Sequence, residues 1–326
     1  MELTSVKNLV VGVDIGVAVT TYAVVDLRGE IIAQDSFATS DYPNIDNYLA
    51  VLCDKIIMQM EANGGYESVR SVGVCCPSSN FLTGCIENAS NLAWKGIIPL
   101  AALMRDRLGL AVALGNNTQC TALGEQAFGA AHGMKDFIIV TLGHGMGSCF
   151  FSNGKVHLGN KGFAGEVGHT CVVPEGRECG CGNKGCLEAY CAHKGIIRTA
   201  KELLEESVEP SLMRQVEALT PKIISELCGQ GDKLAIETMR RTGEMLGRGL
   251  ANYASILNPE AIILTGGIRH AGKWLLEPAE EAFERHVFRN IKGQTKIIVS
   301  SLKDGERDVL GASVLAWQVK EYSLFL

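Results

Sequence analysis

No stretch of this 326-residue sequence stays apolar for the roughly 20 residues that a membrane span needs, so no transmembrane helix is expected. Clustered Lys and Arg are missing too: 30 basic residues stand against 36 acidic ones, and the formal net charge is −6. Nucleic-acid binding rests on clustered positive charge, so nucleic acid is not expected as a main partner. The opening MELTSVKNLVV has one Lys and no secretory cleavage pattern. No low-complexity linker divides the chain. What is present is ordinary core material, 47% apolar against 20% charged residues, enough for one large or two medium domains. Twelve cysteines scattered over this length read as reduced thiols of a cytoplasmic protein. Cys75, Cys76, Cys149 and Cys228 sit in apolar or mixed surroundings, and burial is expected for each.

The densest chemistry lies between Gly165 and Ala192, GEVGHTCVVPEGRECGCGNKGCLEAYCA. His169, Cys179, Cys181 and Cys186 have the number and type of ligands that close a tetrahedral zinc site. Three thiolates with one imidazole favour zinc over magnesium. Four protein ligands leave no position for water, so the expected ion is structural. Buried apolar thiols or a redox pair are the alternatives, but these cysteines interleave with glycine rather than with Val, Leu or Ile. Glycines 176, 180, 182 and 185 are expected to let the chain turn between ligands. Glu166 and Glu188 flank the cluster with no cation beside them in sequence, and the ion would hold them in place.

Along the chain, residues 8–14, 20–26 and 31–37 read as three strands meandering around Asp14-Ile15-Gly16. Residues 44–62 have helical spacing, 71–76 read as a buried strand and 111–117 as a strand ending in two amides. A helix follows. Its small residues at 121, 122, 124, 127 and 129–131 predict close packing against another backbone. The layout then repeats about 125 residues later: a strand runs into Gly143-His144-Gly145, and a hairpin turns at Asn153-Gly154. A duplicated meander followed by αβ units predicts two similar α/β lobes with a cleft, their glycine loops facing a phosphate chain. The last third reads as a long helix over 233–259, a buried strand at 261–267, another strand at 295–302, and a final helix over 308–326.

The run Gly165–Cys191 resembles the ROK family of bacterial sugar kinases and sugar-responsive repressors. The resemblance extends to Asn91-Leu92-Ala93-Trp94 with Ile98-Pro99-Leu100, to Ala122-Leu123-Gly124-Glu125, and to the strand leading to Gly266-Gly267. It implies a two-lobed, actin-like (ribonuclease H-like) ATPase fold with an inter-lobe cleft, usually a homodimer. The small lobe would span 1–117, completed by the helix 308–326. The large lobe would span 118–307 and carry the zinc loop and the dimer surface. The family's kinases move the γ-phosphoryl of Mg-ATP to the 6-hydroxyl of a hexose, as in a glucokinase. By resemblance Asn116, Asn117, Glu166, His169 and Glu188 would meet the sugar. His169 would also bind zinc through one ring nitrogen. Asp14, Gly16, Gly143, His144, Gly145, Gly266 and Gly267 would meet the nucleotide. The family's DNA-binding members carry an N-terminal helix-turn-helix. With a first strand near residue 8, none is expected here.

Three departures bear on activity. Family kinases have Asn-Asp where this chain has Asn116-Asn117, and the missing Asp is the general base. An amide can orient a hydroxyl but cannot take its proton. The first phosphate loop of the family reads Asp-Ile-Gly-Gly-Thr, whereas here Val17 and Ala18 follow Gly16. The second loop has His144 where Thr is usual and Ser148-Cys149 where glycine is usual. Two readings stay open: an active or slow hexose kinase, with His144 as one candidate substitute base, and a sugar-binding sensor without chemistry. A purely structural zinc protein is a third, more distant reading.

Overall fold

The computed structural model of the chain describes residues 7–89 and 91–319. These form two compact units. The first comprises 1–133, 158–163 and 301–326, and the second 134–157 and 164–300, so the chain passes between them four times.

In the first unit, β1 (Leu9–Ile15), β2 (Val19–Asp26) and β3 (Ile31–Ala38) form the expected meander. Helix α1 (Ile45–Ala62) leads to β4 (Val69–Cys75). Helix α2 (Leu100–Leu108), β8 (Ala111–Gly115) and α3 (Asn117–Phe128) follow after a small antiparallel sheet. That sheet consists of β5 (Ser79–Asn80), β6 (Cys85–Glu87) and β7 (Ile97–Ile98). The last helix, α9 (Arg307–Gln318), returns to this unit. The main sheet runs β3-β2-β1-β4-β8, with β1, β4 and β8 parallel. One face is covered by α1 and α2 through Leu49, Leu52, Ile56, Leu100 and Met104, all fully buried. Helix α9 covers the other face at very short range. A Cβ on Gly12 would lie 2.4 Å from the Val309 carbonyl oxygen, and one on Gly73 1.9 Å from that of Ala312. Both glycines are therefore set by the helix lying directly on the strands.

The small residues of α3 do pack against a backbone, that of α9. A Cβ on Gly311 would lie 1.9 Å from the Cys120 carbonyl oxygen, and Gly124 lies against Gly311 and Arg307. Thr121 adds a 3.0 Å hydrogen bond to Asp308. The boundary expected at residue 117 therefore falls inside the first unit, because this contact holds α3 to α9. Helix α9 also ends at Gln318, capped at Val319; residues 320–326 of the expected 308–326 helix lie outside the described residues.

The second unit repeats the plan. Strands β9 (Phe137–Leu142), β10 (Met146–Ser152) and β11 (Lys155–Val156) form a meander. Helices α4 (Glu188–Cys191), α5 (His193–Glu206), α6 (Pro221–Gly229) and α7 (Lys233–Leu257) follow. Then come β12 (Ala261–Thr265), α8 (Lys273–His286) and β13 (Lys296–Val299). The sheet runs β11-β10-β9-β12-β13, with β9, β12 and β13 parallel. Asp232 caps α7 by accepting from the N–H groups of Leu234 and Ala235, and Asn258 ends it at φ 46° ahead of Pro259. Gly243 and Gly247 let α7 touch α8: a Cβ on Gly247 would lie 2.1 Å from the Ala279 carbonyl oxygen. Cys75, Cys76, Cys149 and Cys228 are all buried as expected. Among the described residues no helix is long and apolar enough to cross a membrane.

Candidate functional site

The ligand atoms of His169, Cys179, Cys181 and Cys186 all lie within 4.8 Å of one another, in the second unit. Cys181 Sγ is 3.7 Å from Cys186 Sγ, and Cys179 Sγ is 3.6 Å from His169 Nδ1. A tetrahedral zinc with Zn–S near 2.3 Å and Zn–N near 2.1 Å sets these separations at about 3.8 and 3.6 Å. The donor set and its spacing thus fit zinc. Nδ1 is the nitrogen that faces the sulfurs, which leaves Nε2 outside the ligand set.

The backbone explains how the quartet closes. Cys171 and Cys186 pair across an antiparallel bridge, as do Glu178 and Lys184. Gly182 and Gly185 turn the hairpin at φ 92° and 75°, and a Cβ on Gly185 would lie 1.8 Å from the Val173 carbonyl oxygen. Gly176 is kept small by Tyr190, whose hydroxyl would be 2.2 Å from an added Cβ, while Gly180 faces open space. Three of the four glycines are therefore required and one is not. Burial pushes the Cys186 thiol up to about 12, whereas the Asn183 N–H holds Cys181 down at about 7. A buried thiol of that kind ionises only against a cation, which is what a bound zinc provides.

Arg177, which carries no signal in the sequence, anchors this loop. Its guanidinium stacks on Tyr190 at 4.7 Å, donates to the carbonyls of Ala189 and Gly195, and pairs with Glu202 on α5.

Glu166 and Glu188 stand three residues before and two after a ligand. Glu188 opens α4, and its Oε2 accepts a 2.8 Å hydrogen bond from the Met146 N–H. A Cβ on Gly145 would meet that oxygen at 2.9 Å, so Gly145 makes room for the carboxylate. Partial desolvation raises the pKa of Glu166; His169 opposes the rise and Glu188 adds to it. Ser148 supports the same segment: its hydroxyl donates to the Gly165 carbonyl and accepts from the Val167 N–H. Ser148 and Cys149 lie within β10, beyond the glycine loop, so they do not belong to it as the sequence suggested.

The residues expected at the nucleotide divide by unit. In the second, Gly143, His144 and Gly267 line a cavity of about 610 Å³. Among the described residues other than chain neighbours, nothing lies within 4 Å of a Cβ built on Gly143 or Gly267, so both leave space for a ligand. Gly266 serves the fold, at φ 83° with the Leu142 carbonyl oxygen 2.3 Å from an added Cβ. In the first unit, Asp14, Asn116 and Asn117 lie at the carboxyl ends of the parallel strands β1 and β8, the end where open α/β sheets take ligands. Gly16 is fixed by its own turn, with the Val19 carbonyl oxygen 2.6 Å from an added Cβ, and Val17 beside it is 51% exposed. Asn116 is the N-cap of α3; its side chain accepts from the Gln119 N–H at 2.8 Å within a capping box. Asn117 is the first residue of that helix.

Asp14 has one carboxylate oxygen that is buried without a partner among the described residues. Burial first, then the Asp308 carboxylate, raise its pKa to about 7, against a Cys75 hydrogen bond and Arg307. A buried acceptor left over in an acidic corner fits a divalent cation or its water.

A family model described as the ROK family matches residues 10–319. This chain belongs to the ROK family. It is 31% identical to a glucokinase of Halalkalibacterium halodurans over 323 residues, which is 95% of this chain and 94% of that protein. A xylose repressor of Caldicellulosiruptor bescii is 28% identical over 299 residues, covering 90% of this chain and 75% of the repressor. Among solved structures, a ROK glucokinase from Streptomyces griseus in complex with glucose and AMPPNP superposes with a TM-score of 0.77. It is 32% identical, and the match covers 95% of this ROK chain and all of that one. The two-unit α/β architecture is thus the actin-like ATPase fold of ROK glucokinases, and the function is sugar-kinase-like.

Proposed function

We propose that this ROK protein binds a hexose and transfers phosphate from Mg-ATP to its 6-hydroxyl, slowly, because Asn117 stands where the family's general base stands. The observation that carries the reading is the pair of carboxylates built onto a zinc-shaped quartet. Glu166 and Glu188 each sit within three residues of a ligand, and one Glu188 oxygen is already fixed by the Met146 N–H. Carboxylates held this way accept hydrogen bonds from adjacent sugar hydroxyls. His169, fixed through Nδ1, offers Nε2 to the same ligand. The zinc, when bound, supplies rigidity and turns three thiols into thiolates. In the first unit Asp14, with its unanswered oxygen, suits magnesium, and in the second Gly143 and Gly267 leave room for a nucleotide. Bound Mg-ATP supplies the electrophilic phosphoryl group. Asn117 orients the accepting hydroxyl without taking its proton, which costs about 10²–10⁴-fold in rate. Phosphoryl transfer depends chiefly on positioning and charge, so activity survives the loss.

Val17 and Asn117 together favour a second reading, a sugar-binding module without chemistry. A coupled assay with ATP, magnesium and a panel of hexoses and amino sugars separates the two, alongside thermal denaturation. Slow turnover on a sugar that also stabilises the protein supports the kinase. Stabilisation by about 2.7 kcal/mol at a sugar concentration a hundredfold above its dissociation constant, with no turnover, supports the module. No response to any sugar sinks both.

A further inference from the structure

His144 and His193 form a second group of titratable side chains in the second unit, apart from the zinc quartet. His144 lies in the loop after β9, and His193 is the first residue of α5. Their ring centroids are 5.1 Å apart with the planes at 34°, and the backbone N–H of His193 donates to the Gly143 carbonyl at 3.0 Å. Both rings line the 610 Å³ cavity together with Gly267. The other charged or titratable groups around it are Lys222 and Glu226 on α6 and His270 on the turn after β12. Lys194 follows His193 on α5, and the Glu188 carboxylate lies against Gly145 on the other side of the loop.

Burial and the neighbouring His144 lower the pKa of His193, and the N-terminus of α5 disfavours positive charge further. A polyphosphate entering the cavity would outweigh these effects with its own negative charge. It supplies negative charge to both rings, accepts their N–H groups, and matches the helix end.

We propose that His144 and His193 are a proton-linked receptor for the phosphate chain of the nucleotide, so that nucleotide binding takes up a proton and tightens as pH falls. This rests on the reading that the second unit holds the nucleotide. It adds a pair of specificity-determining residues and a pH dependence to that reading.

The test is calorimetric titration of the zinc-loaded full chain with Mg-AMPPNP from pH 6.0 to 8.0, in buffers of different ionisation enthalpy. Wild type is compared with His144→Asn and His193→Asn, so the nucleotide's own titration cancels. The proposal expects wild-type affinity to rise by up to about tenfold per pH unit relative to the variants. It also expects close to one more proton taken up by wild type than by either variant. The variants should retain zinc and the wild-type stabilisation by hexose, which separates a lost receptor from a lost fold. Equal pH slopes and equal proton uptake in all three proteins would overturn the proposal while leaving nucleotide binding standing. No binding by wild type at any pH would instead overturn the nucleotide reading, and this proposal with it.

Discussion

Where β1 ends in the first unit, the chain presents Asp14 with an unanswered oxygen, an exposed Val17 and, at the end of β8 in the same sheet, Asn117. Where the equivalent strand β9 ends in the second unit, it presents Gly143 in open space and Gly145 shaped around Glu188. The two sheets share one strand order, three antiparallel strands followed by two parallel ones. Their glycines serve different ends. In the first unit Gly12 and Gly73 are in the strands and admit α9, whereas in the second Gly243 and Gly247 are in the helix and admit α8. A duplicated framework has thus been filled by two separate packing solutions. The family departures that bear on chemistry concentrate in the first unit. Of those in the second, Ser148 braces the Glu166 segment, Cys149 is core, and His144 lines the cavity.

The largest effect that can break this contrast is removal of the metal. Cys186→Ser is expected to reduce bound zinc from about one ion per chain to a small fraction, since structural zinc sites contribute on the order of 10 kcal/mol. Hexose stabilisation should disappear with it. Elemental analysis and thermal denaturation read both, and full hexose binding by a metal-free protein would uncouple the carboxylates from the quartet.

Packing comes next. Gly311→Ala in the first unit and Gly247→Ala in the second each force a Cβ to about 2 Å from a carbonyl oxygen, 1.9 Å for one and 2.1 Å for the other. Backbone must move in either case, and urea denaturation should record losses of about 1–3 kcal/mol or more. A neutral result at Gly311 would mean that α9 does not lie on α3 as described.

The smallest expected effect concerns Asp14. A carboxyl raised from 3.8 to about 7 keeps its proton in the fold where the unfolded chain has lost it. Its contribution is therefore complete below about pH 4 and is lost as pH rises through about 7. The substitution Asp14→Asn should stabilise the ligand-free protein at pH 8 by about 1–3 kcal/mol and leave pH 4 unchanged. The same gain at both pH values would show that charge is not the cause.

Much of this is legible in residue patterns. Short apolar runs broken by Gly and Asp mark the two meanders, and Cys-x-Cys with a nearby Cys and His marks the quartet. Helix α5 escapes notice although Ile196, Ala200 and Leu203 repeat at helical spacing and are buried. Helix α8 is hidden by Pro278 within it. The small sheet around β6 is too short to show a period. Arg177, Ser148 and the Asp14–Asp308 pairing cannot be read, because each depends on partners brought together by the fold. His193 lies only 49 residues from His144 in sequence, yet nothing local marks them as neighbours.

In the function proposed above, phosphate transfer to the sugar is held back at one position of the first unit, Asn117. Steady-state turnover of Asn117→Asp, measured beside wild type on a hexose that both proteins bind, tests it most directly. kcat should rise by about 10²–10⁴-fold with little change in hexose affinity. An unchanged kcat, with hexose bound and zinc in place, would contradict it.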